Sequence, residues 1–316
     1  MVENTIQATQ AVVTLDVALP GIIWGWMITL NMWAKSIGTG VIIVGAYLLY
    51  RYKKEETPNL RWMMPLLSFV ALNVFLLFTL VDLHQPYRMI NIFLYPHWTS
   101  AITVGAWMAS LFTLLVTILM VIGAADAFPQ LGGKKCKVTA MARNNSGFYE
   151  KIFPFVVFLA IPVTMYTAII MAESSARELW QAPTEMMQMF LAALMAGSAA
   201  LILSSGSWNK EARRDLSLIL MFAVSASFLM YMGEYFFSFK SSEAEATLAY
   251  IHAGGEYSTE FWFGMILGFI IPFFLAASTV KNDNKTVLRF AAILTLIGLY
   301  LAKDVWLKIP QMLPLS

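Results

Sequence analysis

Asn31 and Lys35 stand four residues apart, the spacing that presents two side chains on one face of a helix. An amide and an ammonium held together in this way can hydrogen-bond one carbonyl oxygen of a quinone, and the phenol of Tyr166 can serve the other. Asp82, Glu234, Lys303 and Asp304 are further ionisable groups set in or at the ends of long apolar runs. Charge there is costly, which makes each a candidate for proton handling. The plainer alternatives are that Lys35 pairs with an acid or snorkels, that Glu234 is a satisfied buried acid, and that Lys303 and Asp304 are interfacial. His84, His97 and His252 fall in or beside polar connections. None forms a facing helical pair, so no haem is expected, and His84 or His97 is placed to contact a partner. The one cysteine, Cys136, excludes an intramolecular disulfide, a Cys-ligated iron–sulfur cluster and a structural zinc site within this chain.

The elements that must hold these groups follow from composition. Of 316 residues, 59% are hydrophobic and 13% charged, with mean hydropathy +0.67. Soluble domains run at about 45–50% apolar and about 25% charged, so a water-soluble enzyme is excluded. Eight apolar runs near 20–50, 61–83, 98–126, 149–173, 184–206, 214–239, 259–280 and 286–308 are long enough to span a bilayer. The expected fold is an all-α bundle of about eight transmembrane helices in one polytopic domain covering 1–316. Helices are the only uninterrupted way for such runs to satisfy their backbone in lipid. Pro154, Pro162 and Pro272 fall within spans and predict kinks, while Gly38, Gly40, Gly197 and Gly268 predict close helix contacts. Trp24, Trp26, Trp98, Trp180 and Trp306 suit interface belts or core.

Charge placement predicts orientation. Connections 1–2, 3–4, 5–6 and 7–8 hold Arg51, Lys53, Lys54, Arg61; Lys134, Lys135, Lys137, Arg143, Lys151; Lys210, Arg213, Arg214; and Lys281, Lys285, Arg289. The other connections hold only Arg88, Arg177 and Lys240, beside Glu178, Glu185, Glu243, Glu245 and Glu256. The positive-inside rule then puts both termini on the outer, periplasmic side of the cell inner (cytoplasmic) membrane. The basic stretch at 134–137 is an inner-face anchor on this reading, with no nucleic-acid partner. No Lys or Arg occurs in the first 20 residues, whereas Glu3 and Asp16 do, so no cleaved signal peptide is expected. At about 1.5 Å per residue, Lys35 lies ~24 Å from Arg51, Glu234 ~30 Å from Arg214, and Lys303 ~20 Å from Arg289. The ionisable groups therefore share the outer half of the bilayer.

The segment Asp82-Leu-His-Gln-Pro-Tyr-Arg88 resembles the DLGRP-x-R signature of the NrfD/PsrC family, the membrane subunits of polysulfide-reductase-type complexes. Pro96 to Trp107 is similar to that family's start of helix three, and Tyr166-Thr-Ala168 to its Tyr-Thr-Gly in helix four, followed by an outer loop with Trp180. Phe261-Trp262 with Gly268 to Pro272 resembles its helix seven. The resemblance covers nearly the whole chain. It implies a haem-free membrane anchor that binds menaquinone or another quinone near the outer face. It also implies two partner subunits on that face: a ferredoxin-like iron–sulfur subunit and a molybdopterin (molybdenum or tungsten) catalytic subunit. By matching position, Asn31, Lys35, Asp82 and Tyr166 become quinone-site residues. Asp82 and, in a region where relatives often place arginine, Lys303 become proton-transfer residues; Glu234 and Asp304 join them as charges within apolar runs, and His84, Arg88, His97 and Trp180 of the outer connections are the expected docking residues. Two departures stand out. Lys35 occupies a position that is histidine in the best-understood relatives, and a lysine titrates elsewhere. His84-Gln85 replaces the Gly-Arg of the signature.

Two other classes compete with a quinone-reactive subunit. A proton- or ion-translocating subunit or transporter without its own redox site would use Lys35, Glu234 and Asp304 as a relay, and it requires a polar path to the inner face. A purely structural anchor would use the same groups only as pairs.

Overall fold

Long apolar runs cannot leave backbone groups open in lipid, and in this chain they wind into helices. The computed structural model describes residues 22–83, 85–128, 146–174, 177–237 and 241–313. Among them, eight helices are long and apolar enough to cross a membrane, and there is no strand, as expected. They are α1 (Trp26–Arg51), α2 (Leu60–Asp82), α3 (Ala101–Ala127), α4 (Ser146–Ala172), α5 (Ala182–Ser204), α6 (Lys210–Phe237), α7 (Ser258–Asn282) and α8 (Lys285–Lys308).

Local sequence sets the ends. The Asn209 side chain accepts from the Ala212 amide at 2.8 Å to open α6, and the Asn284 side chain accepts from Thr286 and Val287 to open α8, each satisfying an orphan helix donor. Pro154 and Pro162 lie inside α4. In α7, Pro272 follows a π-helical turn over Ile266–Ile270. That wider winding makes room for a ring with no N–H that would crowd the carbonyl four residues earlier.

Helices α1 to α4 pack as one ring and α5 to α8 as a second, joined by contacts of α1 and α4 with α5 and of α1 with α8. The α1–α5 seam depends on missing side chains. A Cβ on Gly40 would run into the Ala193 backbone, and one on Gly197 into that of Gly40. Likewise a Cβ on Gly268 would meet Gly298 Cα at 2.7 Å across α7 and α8. Helices in lipid gain no hydrophobic drive toward one another, so such close contact is their main attraction.

One end of the bundle carries the basic connections and is cross-tied. Arg61 meets Glu150 at 2.7 Å and Asp126 at 3.5 Å, and Arg213 meets Asp283. The Tyr47 and Tyr52 hydroxyls each donate to Asp215 at 2.7 Å, and Lys285 donates to the Gly206 carbonyl. Arg213 beside Asp283 holds that carboxyl below its usual range. At the opposite end, the Gln311 side chain accepts from Ile23 and Trp24 amides at 3.0 and 2.9 Å and donates back to the Trp24 carbonyl. The first and last described segments thus meet at one end, away from the basic connections.

Candidate functional site

Buried polar side chains converge where α1, α4, α5 and α8 meet, in the half away from the basic end. Lys35 is 1% exposed. Its Nζ donates to Thr167 Oγ1 and lies 4.7 Å from the centroid of the Tyr166 ring, a cation–π contact. The ring has its place because α3 has no side chain there: a Cβ on Gly105 would collide with it. One turn earlier on α1, Asn31 Nδ2 donates to the Phe75 carbonyl at 2.8 Å and to Thr79 Oγ1 at 2.5 Å. Its donors are committed to α2, leaving its carbonyl oxygen as the group that can serve a ligand, as an acceptor.

Helix α8 supplies the second set. Lys303 and Asp304 are both buried, not interfacial, and as neighbours on a helix they point to different partners. Asp304 accepts from Thr29 Oγ1 of α1 at 2.7 Å and from Lys308 one turn on. Lys303 feels the charge of Glu185 of α5 and repels Lys35. Glu185 is 3% exposed, accepts from Trp306 Nε1 at 2.8 Å, and also feels Glu234 of α6, which is half-buried. Glu185 reads in the sequence as an acid of an outer connection. Pro183 instead starts α5 before it, so it enters the bundle. Its detectable signal is the i, i+3 pair Glu185–Gln188; Gln188 is held by Ser227, whose hydroxyl donates to it at 2.7 Å.

A small apolar cluster, separate from the main core, closes this region: Met32, Met171, Met189 and Trp180, with Trp24 and Met186 packed on it. Trp180 stacks on Trp24 at 5.4 Å between ring centroids. Among the described residues its buried Nε1 has no hydrogen-bond partner. An orphaned donor costs about 1–3 kcal/mol and calls for an acceptor from elsewhere. Thioether side chains are flexible fillers that can repack around a guest.

The other candidate residues are dispersed. Asp82 is half-buried at the end of α2, three residues beyond Thr79. Arg88 and His97 are exposed on the α2–α3 connection, where His97 Nδ1 bonds Thr99. His84 lies outside the described residues, as do Lys134, Lys135, Cys136, Lys137, Arg143 and Lys240. Trp180, a docking candidate, lies inside the bundle rather than on its surface. It is 5% exposed, because the turn Glu178–Trp180 folds its ring inward onto Trp24. A cavity of about 500 Å³ lies at the basic end and shares no residue with the Lys35 cluster. Among the described residues, no group of three or more His, Cys, Asp or Glu could hold a metal ion.

The family model described as polysulphide reductase, NrfD, matches residues 17–312. The chain belongs to the NrfD family. Comparison with curated proteins found no match. As an NrfD protein with eight apolar helices, it is a multi-pass membrane protein of polysulfide-reductase type, a class of membrane subunits of oxidoreductase complexes.

Proposed function

We propose that this NrfD protein is the quinone-reactive, haem-free anchor of a respiratory oxidoreductase complex. It exchanges electrons between menaquinone, or a related quinone, and an iron–sulfur subunit docked at the end opposite the basic connections. A molybdopterin subunit carrying molybdenum or tungsten completes the complex and holds the terminal catalytic site. The basic end faces the cytoplasm, so the docking end lies outside the inner membrane. Beyond family membership, the observation that carries this reading is the donor set around the methionine plug: the Lys35 ammonium, the Tyr166 phenol and the orphaned Trp180 N–H.

The residues fit a quinone ring in donor chemistry. Lys35, Tyr166 and Trp180 would donate to the carbonyl oxygens of a bound ring, and the Asn31 carbonyl would accept from the hydroxyl of its reduced form. Lys35 stabilises negative charge on a ring oxygen and does not itself carry the proton. Oxidation of a quinol releases two electrons to the iron–sulfur partner and two protons, one from each hydroxyl. Glu234, Lys303 and Asp304, with Glu185 acting on Lys303, and Asp82 at the end of α2 pass those protons to the outer side. Arg88 and His97 are exposed where the partner would dock.

The two-ring arrangement of α1 to α4 and α5 to α8 is the one observation favouring an ion-translocating subunit, since paired repeats are common in transporters. Toward the basic end, however, the buried polar groups following Lys35 on α1 are Ser36 and Thr39, each bonded to its own helix's carbonyls. The quinone reading is tested by a Tyr166→Phe, Lys35→Met double variant in the assembled complex. Loss of quinone-linked turnover with dye-linked activity of the partner subunits retained is expected, and normal quinone-linked turnover would overturn it.

A further inference from the structure

We propose that the cavity at the basic end binds the headgroup of one phosphatidylethanolamine molecule. This site is independent of the quinone reading. The cavity holds about 500 Å³ between α1, α2, α3 and α4, and it straddles two environments. Leu49, Phe153 and Val157 line it from the apolar spans, whereas Lys54 stands on the polar connection after α1. A ligand filling it must be apolar at one side and polar at the other, as a lipid is at the bilayer boundary.

Charge selects the headgroup. Among the described residues four charged side chains line the cavity, Lys54 and Arg61 against Asp126 and Glu150, so that part of the wall is neutral overall and unevenly divided. Arg61 is fixed over the Tyr149 ring, 4.3 Å from its centroid, and shared by the two carboxylates at 3.5 and 2.7 Å. Among the described residues one guanidinium stands between two carboxylates, an excess of one negative charge on that side that Lys54 balances from the connection. A zwitterion with a phosphate for Lys54 and an ammonium for Glu150 and Asp126 matches both poles. Phosphatidylglycerol offers no cation to the carboxylates, and a choline headgroup cannot donate hydrogen bonds to them.

The test is native mass spectrometry of the full-length chain released from nanodiscs containing equal amounts of phosphatidylethanolamine, phosphatidylglycerol and phosphatidylcholine. Phosphatidylethanolamine should be retained about tenfold over either competitor, the discrimination of one charge-assisted hydrogen bond. Lys54→Met and Glu150→Gln, both at exposed positions, should each lower its retention by about as much, with helical circular dichroism unchanged. Equal retention of the three lipids, a preference for phosphatidylglycerol, or wild-type retention in both variants would overturn the site. Displacement by millimolar glycerophosphoethanolamine would assign it to a soluble ligand and overturn the lipid assignment.

Discussion

Replacing Lys35 by methionine separates a functional ammonium from a structural one. The variant loses one charge-assisted hydrogen bond to Thr167, about 1.5–3 kcal/mol, and a cation–π contact with Tyr166, up to about 2 kcal/mol. Against this stands the cost of holding an ion at a position 1% exposed, several kcal/mol after relaxation. Repulsion from Lys303 adds to that cost. Methionine fills similar space and joins the neighbouring methionines, so the relief of desolvation outweighs the lost contacts. Replacement of buried charges by apolar side chains is often neutral or stabilising by ~1–4 kcal/mol. Lys35→Met should therefore unfold in detergent at the same or a higher denaturant concentration than wild type. Its quinone-linked kcat/KM in the assembled complex should fall by about 10- to 100-fold, the loss of one donor to a charged ring oxygen. Equilibrium unfolding and steady-state turnover of the same preparation decide the matter. A variant less stable than wild type, with turnover reduced only in proportion to folded protein, would show that Lys35 is a structural pair and refute its role as a donor.

Other perturbations read other parts of the structure. Glu185→Gln keeps an acceptor for Trp306 but removes the negative charge that acts on Lys303, and should destabilise by about 1–2 kcal/mol; adding Lys303→Met should remove most of that cost in a double-mutant unfolding cycle. Gly105→Ala should push the Tyr166 ring out of place, lowering quinone-linked turnover about tenfold or more while circular dichroism stays helical. Gly40→Leu should abolish the α1–α5 contact and leave no monodisperse protein in size-exclusion chromatography, because the Cβ meets backbone. Asp283 is held below the ordinary carboxylate range by Arg213. Its contribution to stability is complete above the unfolded-state value, about 3.9, and is lost as pH falls through the lower folded-state value. Asp283→Asn should flatten that acid limb in pH-dependent unfolding.

What the sequence made legible was mostly local. Eight spans were readable because an apolar run carries its own periodicity and length. Gly40, Gly197 and Gly268 were readable because small residues in spans have few other uses. Asn31 and Lys35 were readable because an i, i+4 polar pair in an apolar run has no cheap surface to reach. Contacts between distant segments were not. Glu185 sits near the acids of an outer connection in sequence, and only the approach of Trp306, 121 residues away, shows it to be inside. The adjacent pair Lys303 and Asp304 gives no sign of which helix each faces, since the rotation of α8 is set by packing. Trp180 looked equally suited to surface and interior until its stack with Trp24 fixed it indoors. Gly105 lies in the stretch resembling the family's third helix, yet its role is defined by a ring on another helix.

The most direct measurement is photo-crosslinking of the native complex with an azidoquinone, followed by peptide mapping of the labelled chain. Labels on α1 near Met32 and Lys35 and on α4 near Tyr166 and Met171, lost in competition with menaquinone and reduced in Lys35→Met, are the expected result. Labels confined to the cavity at the basic end, or specific labelling only of partner subunits, would contradict a quinone site built around Lys35.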